Sequence, residues 1–448
     1  MRNSELGTPS STPHSAFHTP HFFREARGGV TTFLTMAYIL VANPAILASA
    51  GVPFEAAVAA TAASAGVCSI LMGIGANFPL ALAPGMGLNA VVAFQLAPAT
   101  GSWQVAMGLV VLDGLVVLAL VLLGLRQAIM DAIPLDLRRA IGVGIGLFIA
   151  LIGAVNARLV VVPAGTVDVL SKDRSAILPP VTHGSLLAPE TAVAVVGLVL
   201  IALLVARRVS GAILIGIAFS TLVALGLGIT RLPQGAWVRV PGFETFLQAD
   251  VAGAATLSFV PLLLAIVMVD FFDTIGTVTA IADAGELRDR DERVPRIRRI
   301  LAIDAVSASI GGLFGASSVT SYVESAAGVA EGARSGFHSI VVGVLFLLAT
   351  FAAPIAAIVP AAATAPALMV VGFLMCQPIA RIDFARLQTA IPAFLIFVLV
   401  PFTYSISHGI GYGFISYVLL TALTGRAREA HPLMYATAAA FGVYFLFD

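Results

Sequence analysis

Charged residues are scarce in this chain, and neither sign prevails. They make up 11% of its 448 residues, with 24 acidic and 24 basic side chains. Such a balance points to neither a nucleic-acid partner nor an acidic ligand. Apolar residues instead make up 59% of the sequence and raise its mean hydropathy to +1.00. One soluble core cannot hold so many apolar side chains, so the composition predicts a polytopic membrane protein.

Cysteines and targeting signals are also rare or missing. Cys68 and Cys376 lie in apolar runs without the spacing of a metal site, which indicates ordinary packing. The stretch from Met1 to Phe22 has no apolar run and so no cleavable signal peptide. We expect residues 1–23 to form a mobile cytoplasmic tail. The Gly-Met-Gly run at 85–87 is not followed by the lysine of a phosphate loop, and no metal or cofactor is expected.

Two carboxylates stand inside one long apolar run. Asp270 and Asp273 lie in the run from about 255 to 282, which is long enough to cross a bilayer as a helix. Their spacing of three places both on one helix face. An unpaired charge at the bilayer centre costs at least about 2.5 to 3.5 kcal/mol, so such residues usually have a function. Burial and a like-charged neighbour favour the protonated carboxyl group, which makes this pair a candidate for proton coupling.

Two other apolar segments are interrupted. The stretch from Phe78 to Ala90 holds two prolines and two glycines in thirteen residues, which excludes a continuous helix. The stretch from Gly315 to Gly328 alternates Ser, Thr and Val, which predicts a short extended piece leading into a half-helix. Irregular backbone at membrane depth occurs only where it lines a cavity or is buried in protein. The paired interruptions therefore indicate the position of a substrate site.

The order of segments is repeated along the chain. Two regular spans, one broken span and four further spans run to about residue 229, and the same series begins again near residue 255. An odd number of spans inverts the second copy, as in secondary transporters. The sequence thus predicts an all-α polytopic protein of 14 transmembrane segments in two inverted repeats of seven, with short extended pieces in the third and tenth spans. The segment 433–447 either spans the membrane or lies along its interface.

Clusters of arginine indicate the orientation. If fourteen spans are counted, the principal clusters fall on one side, which we assign to the cytoplasm together with the N-terminus. We expect a multi-pass protein of the plasma or inner membrane. The clusters lie at residues 24–27, 126–139, 207–208, 288–299, 381–386 and 426–428.

Other polar residues inside the predicted spans are candidates for binding. Glu324 stands on the second interrupted segment, and its carboxylate could accept two adjacent N–H groups. Asn89 holds the matching place in the first, where a structural role for its amide is almost equally favoured. For Asp113 and Asp304, hydrogen bonding between helices is favoured over contact with a ligand.

Four stretches carry a resemblance to a known family. They are GVTTFLTMAYIL at 29–40, APGMGLNA at 83–90, VDFFDTIGT at 269–277 and SVTSYVESAAG at 318–328. With these, the chain resembles the AzgA-like purine permeases, for adenine, guanine and hypoxanthine, of the nucleobase-ascorbate transporter superfamily. The similarity covers nearly the whole chain from Phe22 onward.

This resemblance implies two domains and a purine site. Residues 24–130 and 251–360 would form a core, substrate-binding domain, and 131–250 and 361–448 a gate domain through which two copies form a homodimer. Purine would bind between the third and tenth spans, facing the eighth. The substrate-binding residues would be Asn89, Asp270, Glu324 and Ser325, and the proton-coupling residues Asp270 and Asp273.

The expected function is therefore transport rather than catalysis. We expect import of hypoxanthine, guanine and adenine by proton symport with alternating access, the proton gradient supplying the driving force. The alternatives are a transporter of uracil or xanthine, or of a small anion, on the same fold. An intramembrane aspartyl protease is more remote, because its two acids sit on different helices whereas Asp270 and Asp273 share one.

Overall fold

A computed structural model describes residues 19–124, 132–163, 165–166, 169, 181–232, 236–238, 240, 242–288 and 294–447. Most of the expected tail at 1–23 lies outside this part of the chain, and so does the middle of the arginine-rich loop at 288–299.

The described chain is predominantly helical. The first half contains α1 (Thr19–Met36), α2 (Ile39–Ala48), α3 (Phe54–Gly75), α4 (Met86–Val91), α5 (Ala97–Thr100), α6 (Trp103–Leu122), α7 (Leu135–Asn156), α8 (Pro189–Ala206) and α9 (Ala212–Gly226). The second half contains α10 (Val251–Ala254), α11 (Val260–Ala284), α12 (Ile297–Phe314), α13 (Ser325–Ala330), α14 (Gly336–Ala349), α15 (Ala353–Ala356), α16 (Ala361–Cys376), α17 (Leu387–Phe402), α18 (Ile406–Leu423) and α19 (Pro432–Phe447). Four short strands accompany them, β1 (Leu82–Pro84), β2 (Val160–Val161), β3 (Thr182–His183) and β4 (Val319–Ser321).

Many of these helices are suited to a bilayer. Within the described residues, eight are long and apolar enough to cross a membrane, and several shorter apolar helices accompany them. The protein is therefore a polytopic membrane protein. The run with the two carboxylates forms α11, and the segment at 433–447 forms α19, which packs against α18.

Helices from the two halves pack closely because glycines lie at their crossings. α3 packs against α14, and α6 packs against α12. A Cβ on Gly66 of α3 would lie 2.9 Å from the carbonyl oxygen of Gly343 on α14. A Cβ on Gly312 of α12 would likewise lie 2.9 Å from the carbonyl oxygen of Met107 on α6. Small residues of this kind let membrane helices approach backbone to backbone.

Both expected extended pieces are present, as β1 and β4. They pair antiparallel, with Leu82 opposite Ser321 and Pro84 opposite Val319. Proline and glycine end the helix before β1, while β-branched Val319 and Thr320 favour the extended backbone of β4. Each strand is followed by a short helix, β1 by α4 and β4 by α13.

Candidate functional site

Serine hydroxyls bond the backbone at the antiparallel pair of β1 and β4, which we call the β1–β4 crossing. Ser69 of α3 accepts from the Leu82 N–H at 2.9 Å and donates to the Leu82 carbonyl at 3.0 Å. Ser339 of α14 accepts from the Leu80 N–H at 2.9 Å, and Ser325 of α13 accepts from the Ala81 N–H at 2.9 Å. An unsatisfied backbone group at membrane depth costs several kcal/mol. The strand β1 is thus stabilised by side chains from three helices.

Gly85 lets the two strands approach at the end of β1. Its N–H donates to the carbonyl oxygen of Ser318 at 2.9 Å. A Cβ at this position would lie 2.7 Å from Cγ2 of Thr320, closer than two carbon atoms can approach without a shift of one of them. The close crossing therefore depends on a residue without a side chain.

A cavity of about 190 Å³ lies beside this crossing. Its walls come from the start of α2, the ends of β1 and β4, the middle of α11 and the C-terminal half of α16. The residues that line it are Tyr38, Gly85, Met86, Gly87, Thr277, Ser321, Tyr322, Val323, Glu324, Val371, Leu374 and Met375.

Glu324 is the carboxylate that lines the cavity among the described residues. It is the residue before α13, three positions after the end of β4, and its side chain makes no capping hydrogen bond to the helix. Its Oε1 accepts a hydrogen bond from the hydroxyl of Tyr38 at 3.0 Å. Tyr322 lines the same cavity and donates to the carbonyl oxygen of Pro84 at 2.5 Å. An ionised carboxylate thus has one fixed donor and further lone pairs that can accept from a ligand.

A buried network around Asp304 supports the β4 side of the site. Asp304 of α12 is fully buried, and it accepts from Thr274 of α11 at 2.5 Å and from Ser321 of β4 at 2.8 Å. The hydroxyls of Thr274 and Thr320 are 3.2 Å apart. The hydrogen bonding favoured for Asp304 on sequence grounds is confirmed, and it ties β4 to two helices.

Of the other three acids considered from the sequence, Asp270 and Asp113 are not among the described lining residues, and the side chain of Asp273 lies outside the description. Asp270 is fully buried on α11, one turn before Thr274, and it is not among the lining residues of the described chain. The side chain of Asp273 lies outside the described side chains. Asp113 is fully buried on α6, which packs against α12.

Asn89 and Ser325 are also not among the described residues that line the cavity. Asn89 is fully buried on α4, where its Nδ2 lies 3.9 Å from the sulfur of Met86. Its Oδ1 accepts no hydrogen bond within the described part of the chain. Ser325 uses its hydroxyl to hold β1. Among the described residues, the structure thus brings Glu324 to the cavity, whereas Asn89, Asp270 and Ser325 are not in its lining.

Sequence reasoning missed Tyr38, Thr277 and the wall formed by α16. Thr277 lies seven residues after Asp270 and three after Thr274, on the same face of α11. That spacing could have revealed it. Tyr38 belongs to the stretch at 29–40 that carries the family resemblance, but nothing in that stretch indicates its contact with Glu324, 286 positions away in the sequence.

The fold and the site together define a membrane permease. The chain matches the protein family described as "Permease family" over residues 24–412. It is 39% identical over 436 residues to the guanine/hypoxanthine permease PbuG of Bacillus subtilis, with 94% of this chain and 96% of that protein covered. It is 38% identical over 443 residues to the adenine permease AdeQ of Escherichia coli, with 98% and 97% covered.

A solved structure shares the fold. The transmembrane domain of the cyanobacterial bicarbonate transporter BicA superposes with a TM-score of 0.62 at 18% identity, covering 89% of this chain and 98% of that one. The chain therefore belongs to this permease family, within the nucleobase-ascorbate transporter superfamily. The family consists of transporters rather than enzymes, which removes the protease alternative.

Proposed function

We propose that this protein imports purine nucleobases by proton symport, through alternating exposure of the cavity at the β1–β4 crossing. The observation that carries the proposal is the carboxylate of Glu324 in that cavity. A purine base is flat and presents N–H groups along one edge. Glu324 accepts from that edge, while Met86, Val371 and Leu374 offer apolar surface to the ring. Relatives at similar identity are named for guanine/hypoxanthine and for adenine, which supports a purine substrate.

The packing supports two inverted repeats of seven spans. In such a repeat, α3 and α6 of the first half correspond to α12 and α14 of the second. The pair α3–α14 then becomes the pair α12–α6 when the halves are exchanged, and the glycine crossings at Gly66 and Gly312 have the same closeness. This reciprocity is what a pseudo-two-fold axis in the membrane plane requires.

The cavity lies between the two proposed domains, which suits alternating access. Tyr38 and Glu324 belong to the core domain of residues 24–130 and 251–360. Val371, Leu374 and Met375 belong to the gate domain of residues 131–250 and 361–448. A relative movement of the domains would open the cavity to one side of the membrane at a time. We assign dimer formation to the gate domain.

Proton coupling is assigned to Asp270 or Asp273, both on α11. Each proton that moves inward gains roughly 2.3 kcal/mol per 100 mV, and about 1.4 kcal/mol corresponds to a tenfold concentration ratio. One proton would thus support well over tenfold accumulation. Replacement of the coupling residue by Asn should leave substrate exchange partly intact and abolish accumulation. If both Asn variants concentrate purine as well as the parent does, another group carries the proton.

The orientation has a direct test. We propose a cytoplasmic N-terminus in the cell membrane, which puts the arginine-rich loop at 288–299 in the cytoplasm. A single cysteine at Arg290, in a variant that lacks Cys68 and Cys376, should resist an impermeant thiol reagent in intact cells. Ready labelling from outside would reverse the orientation.

A small anion on the same fold is the alternative to weigh against a purine. The likeness to BicA, at 18% identity, concerns the fold alone. An anion site would offer positive groups or bare helix N-termini. The start of α4 at Gly85 and Met86 does line the cavity without a side-chain cap. The charged group in the described lining is nevertheless Glu324, and its negative charge disfavours an anion.

The decisive experiment is uptake of labelled hypoxanthine into cells that lack purine transport. Uptake should depend on the proton gradient, and excess guanine or adenine should compete with it. Uracil, xanthine and bicarbonate in the same assay distinguish the alternatives. Competition by one of these, with no effect of the purines, would refute the proposal.

A further inference from the structure

The start of α2 carries a polar contact that the expected purine site did not include. Tyr38 stands between α1 and α2, where the N–H groups of Leu40 and Val41 bond three residues back, to Ala37 and Tyr38. Such a tightened turn within a span often marks a functional position. The turn places the phenol in the cavity, although Tyr38 is only 1% exposed. This turn between α1 and α2 thus directs the Tyr38 side chain into the cavity.

The phenol and the carboxylate have complementary roles in this contact. The hydroxyl of Tyr38 donates a hydrogen bond to Oε1 of Glu324 at 3.0 Å. This bond engages Oε1 with a donor, so an ionised Glu324 meets a ligand only as an acceptor. The hydroxyl oxygen keeps lone pairs of its own, and its hydrogen is already engaged. The pair therefore presents acceptors in a row, Oε2 and Oε1 of Glu324 and then the oxygen of Tyr38.

Purines differ in how well they match a row of acceptors. The edge of guanine carries two adjacent donors, N1–H and the 2-amino group. The edge of adenine alternates a donor, the 6-amino group, with an acceptor, N1. Adenine N1 would face a lone pair of the carboxylate, and a buried acceptor without a donor costs free energy. Guanine meets no such mismatch.

We propose that Tyr38 is a specificity-determining residue, which holds Glu324 as an acceptor and so makes the cavity select guanine over adenine. The inference rests on the proposed purine site and goes beyond it, since family relatives include permeases named for each base. Without the phenol, Oε1 of Glu324 has no fixed donor and the row loses one acceptor. A protonated Glu324, which offers one donor and one acceptor, can then match adenine.

The test is equilibrium binding of radiolabelled guanine and adenine to the purified full chain at one neutral pH. The parent should bind guanine more tightly than adenine. Tyr38→Phe should lower the guanine-to-adenine affinity ratio by about tenfold, the effect of one charge-assisted hydrogen bond. Tyr322→Phe is the matched control, because it removes a phenol hydroxyl from the same cavity that donates to Pro84 instead. It should change both affinities by a similar factor and preserve the ratio.

A second variant protects the test against a folding defect in Tyr38→Phe. Glu324→Gln places a donor and an acceptor at the same position, so it should also lower the ratio. An unchanged ratio in a folded Tyr38→Phe protein, or a parent that binds adenine as tightly as guanine, overturns this inference and leaves the proposed purine transport intact. A parent that binds neither base refutes the proposed function and this inference together.

Discussion

The two interrupted segments share a backbone plan but differ in chemistry. In both, a strand of three residues leads into a helix of six, and the strands pair with each other. The first segment brings Gly85, Met86 and Gly87 to the cavity, and the second brings Tyr322 and Glu324. The first segment thus supplies space and the second supplies hydrogen-bonding groups. A repeated backbone can therefore form one asymmetric site, because each copy contributes a different half of it.

Glu324→Gln should remove the strongest polar contribution of the second segment. Loss of a charge-assisted contact costs about 1.5 to 3 kcal/mol, or roughly tenfold to a hundredfold in affinity for guanine. Adenine should lose less, because its edge mixes donor and acceptor. Binding to the purified protein is the quantity to measure, since a transport defect alone could reflect lost coupling. Parental affinities for both bases in a folded variant would mean that Glu324 is structural.

Gly85→Ala should destabilise the first segment through steric overlap alone. The new Cβ would lie 2.7 Å from Cγ2 of Thr320, so the strands must separate. Overpacking of this kind costs about 1 to 3 kcal/mol, which a thermal unfolding assay in detergent would detect. Gly142→Ala is the matched control, because a Cβ there meets no heavy atom within 4 Å. Equal unfolding temperatures for the two variants would show that the β1–β4 crossing can hold a methyl group at position 85 without strain.

Asp304→Asn should weaken the support of the second segment without touching the cavity. Asparagine keeps one acceptor, so one of the two bonds from Thr274 and Ser321 loses its partner. The expected loss of stability is about 1.5 kcal/mol, the low end for hydrogen bonds to a charged group. Guanine affinity should fall only as far as Ser321 and Glu324 shift. A variant of full stability with no purine binding would instead make Asp304 part of the site.

Asn89→Ala tests whether the first segment contributes any polar recognition. Asn89 is not among the described lining residues, so we expect a loss of roughly threefold in guanine affinity, comparable to a weak neutral hydrogen bond. A loss as large as that of Glu324→Gln would mean that Asn89 reaches the purine. Both interrupted segments would then contribute polar contacts to the purine, and the difference in chemistry between them would disappear.

The sequence predicted those parts of the molecule that depend on local pattern. Apolar runs predicted the membrane-spanning helices. Two interruptions of these runs predicted the strands β1 and β4, because they contain proline, glycine and β-branched residues. The interruptions lie at residues 78–90 and 315–328. An acid next to such a strand in a membrane span is costly, and this singled out Glu324.

Features that depend on contacts between distant segments could not be read in this way. Nothing near Tyr38 indicates that its hydroxyl meets an acid 286 positions away. The same holds for Ser325, which was expected to bind substrate and whose hydroxyl holds the Ala81 N–H. Whether Ser325 also meets the substrate stays a prediction. Residue type alone cannot distinguish a serine that faces a ligand from one that faces backbone.

The serine contacts around β1 have a mechanical consequence. Three serine hydroxyls bond β1 and the two residues before it to three helices, so we expect this side of the cavity to move together with those helices. The serines are Ser69, Ser339 and Ser325. The opposite wall offers Val371, Leu374 and Met375, whose side chains donate no hydrogen bonds. Hydrogen bonds resist displacement because they break in whole steps, whereas apolar surfaces can slide by small repacking. If the two proposed domains move relative to each other, we expect sliding at the wall formed by α16, with Glu324 staying on the hydrogen-bonded side.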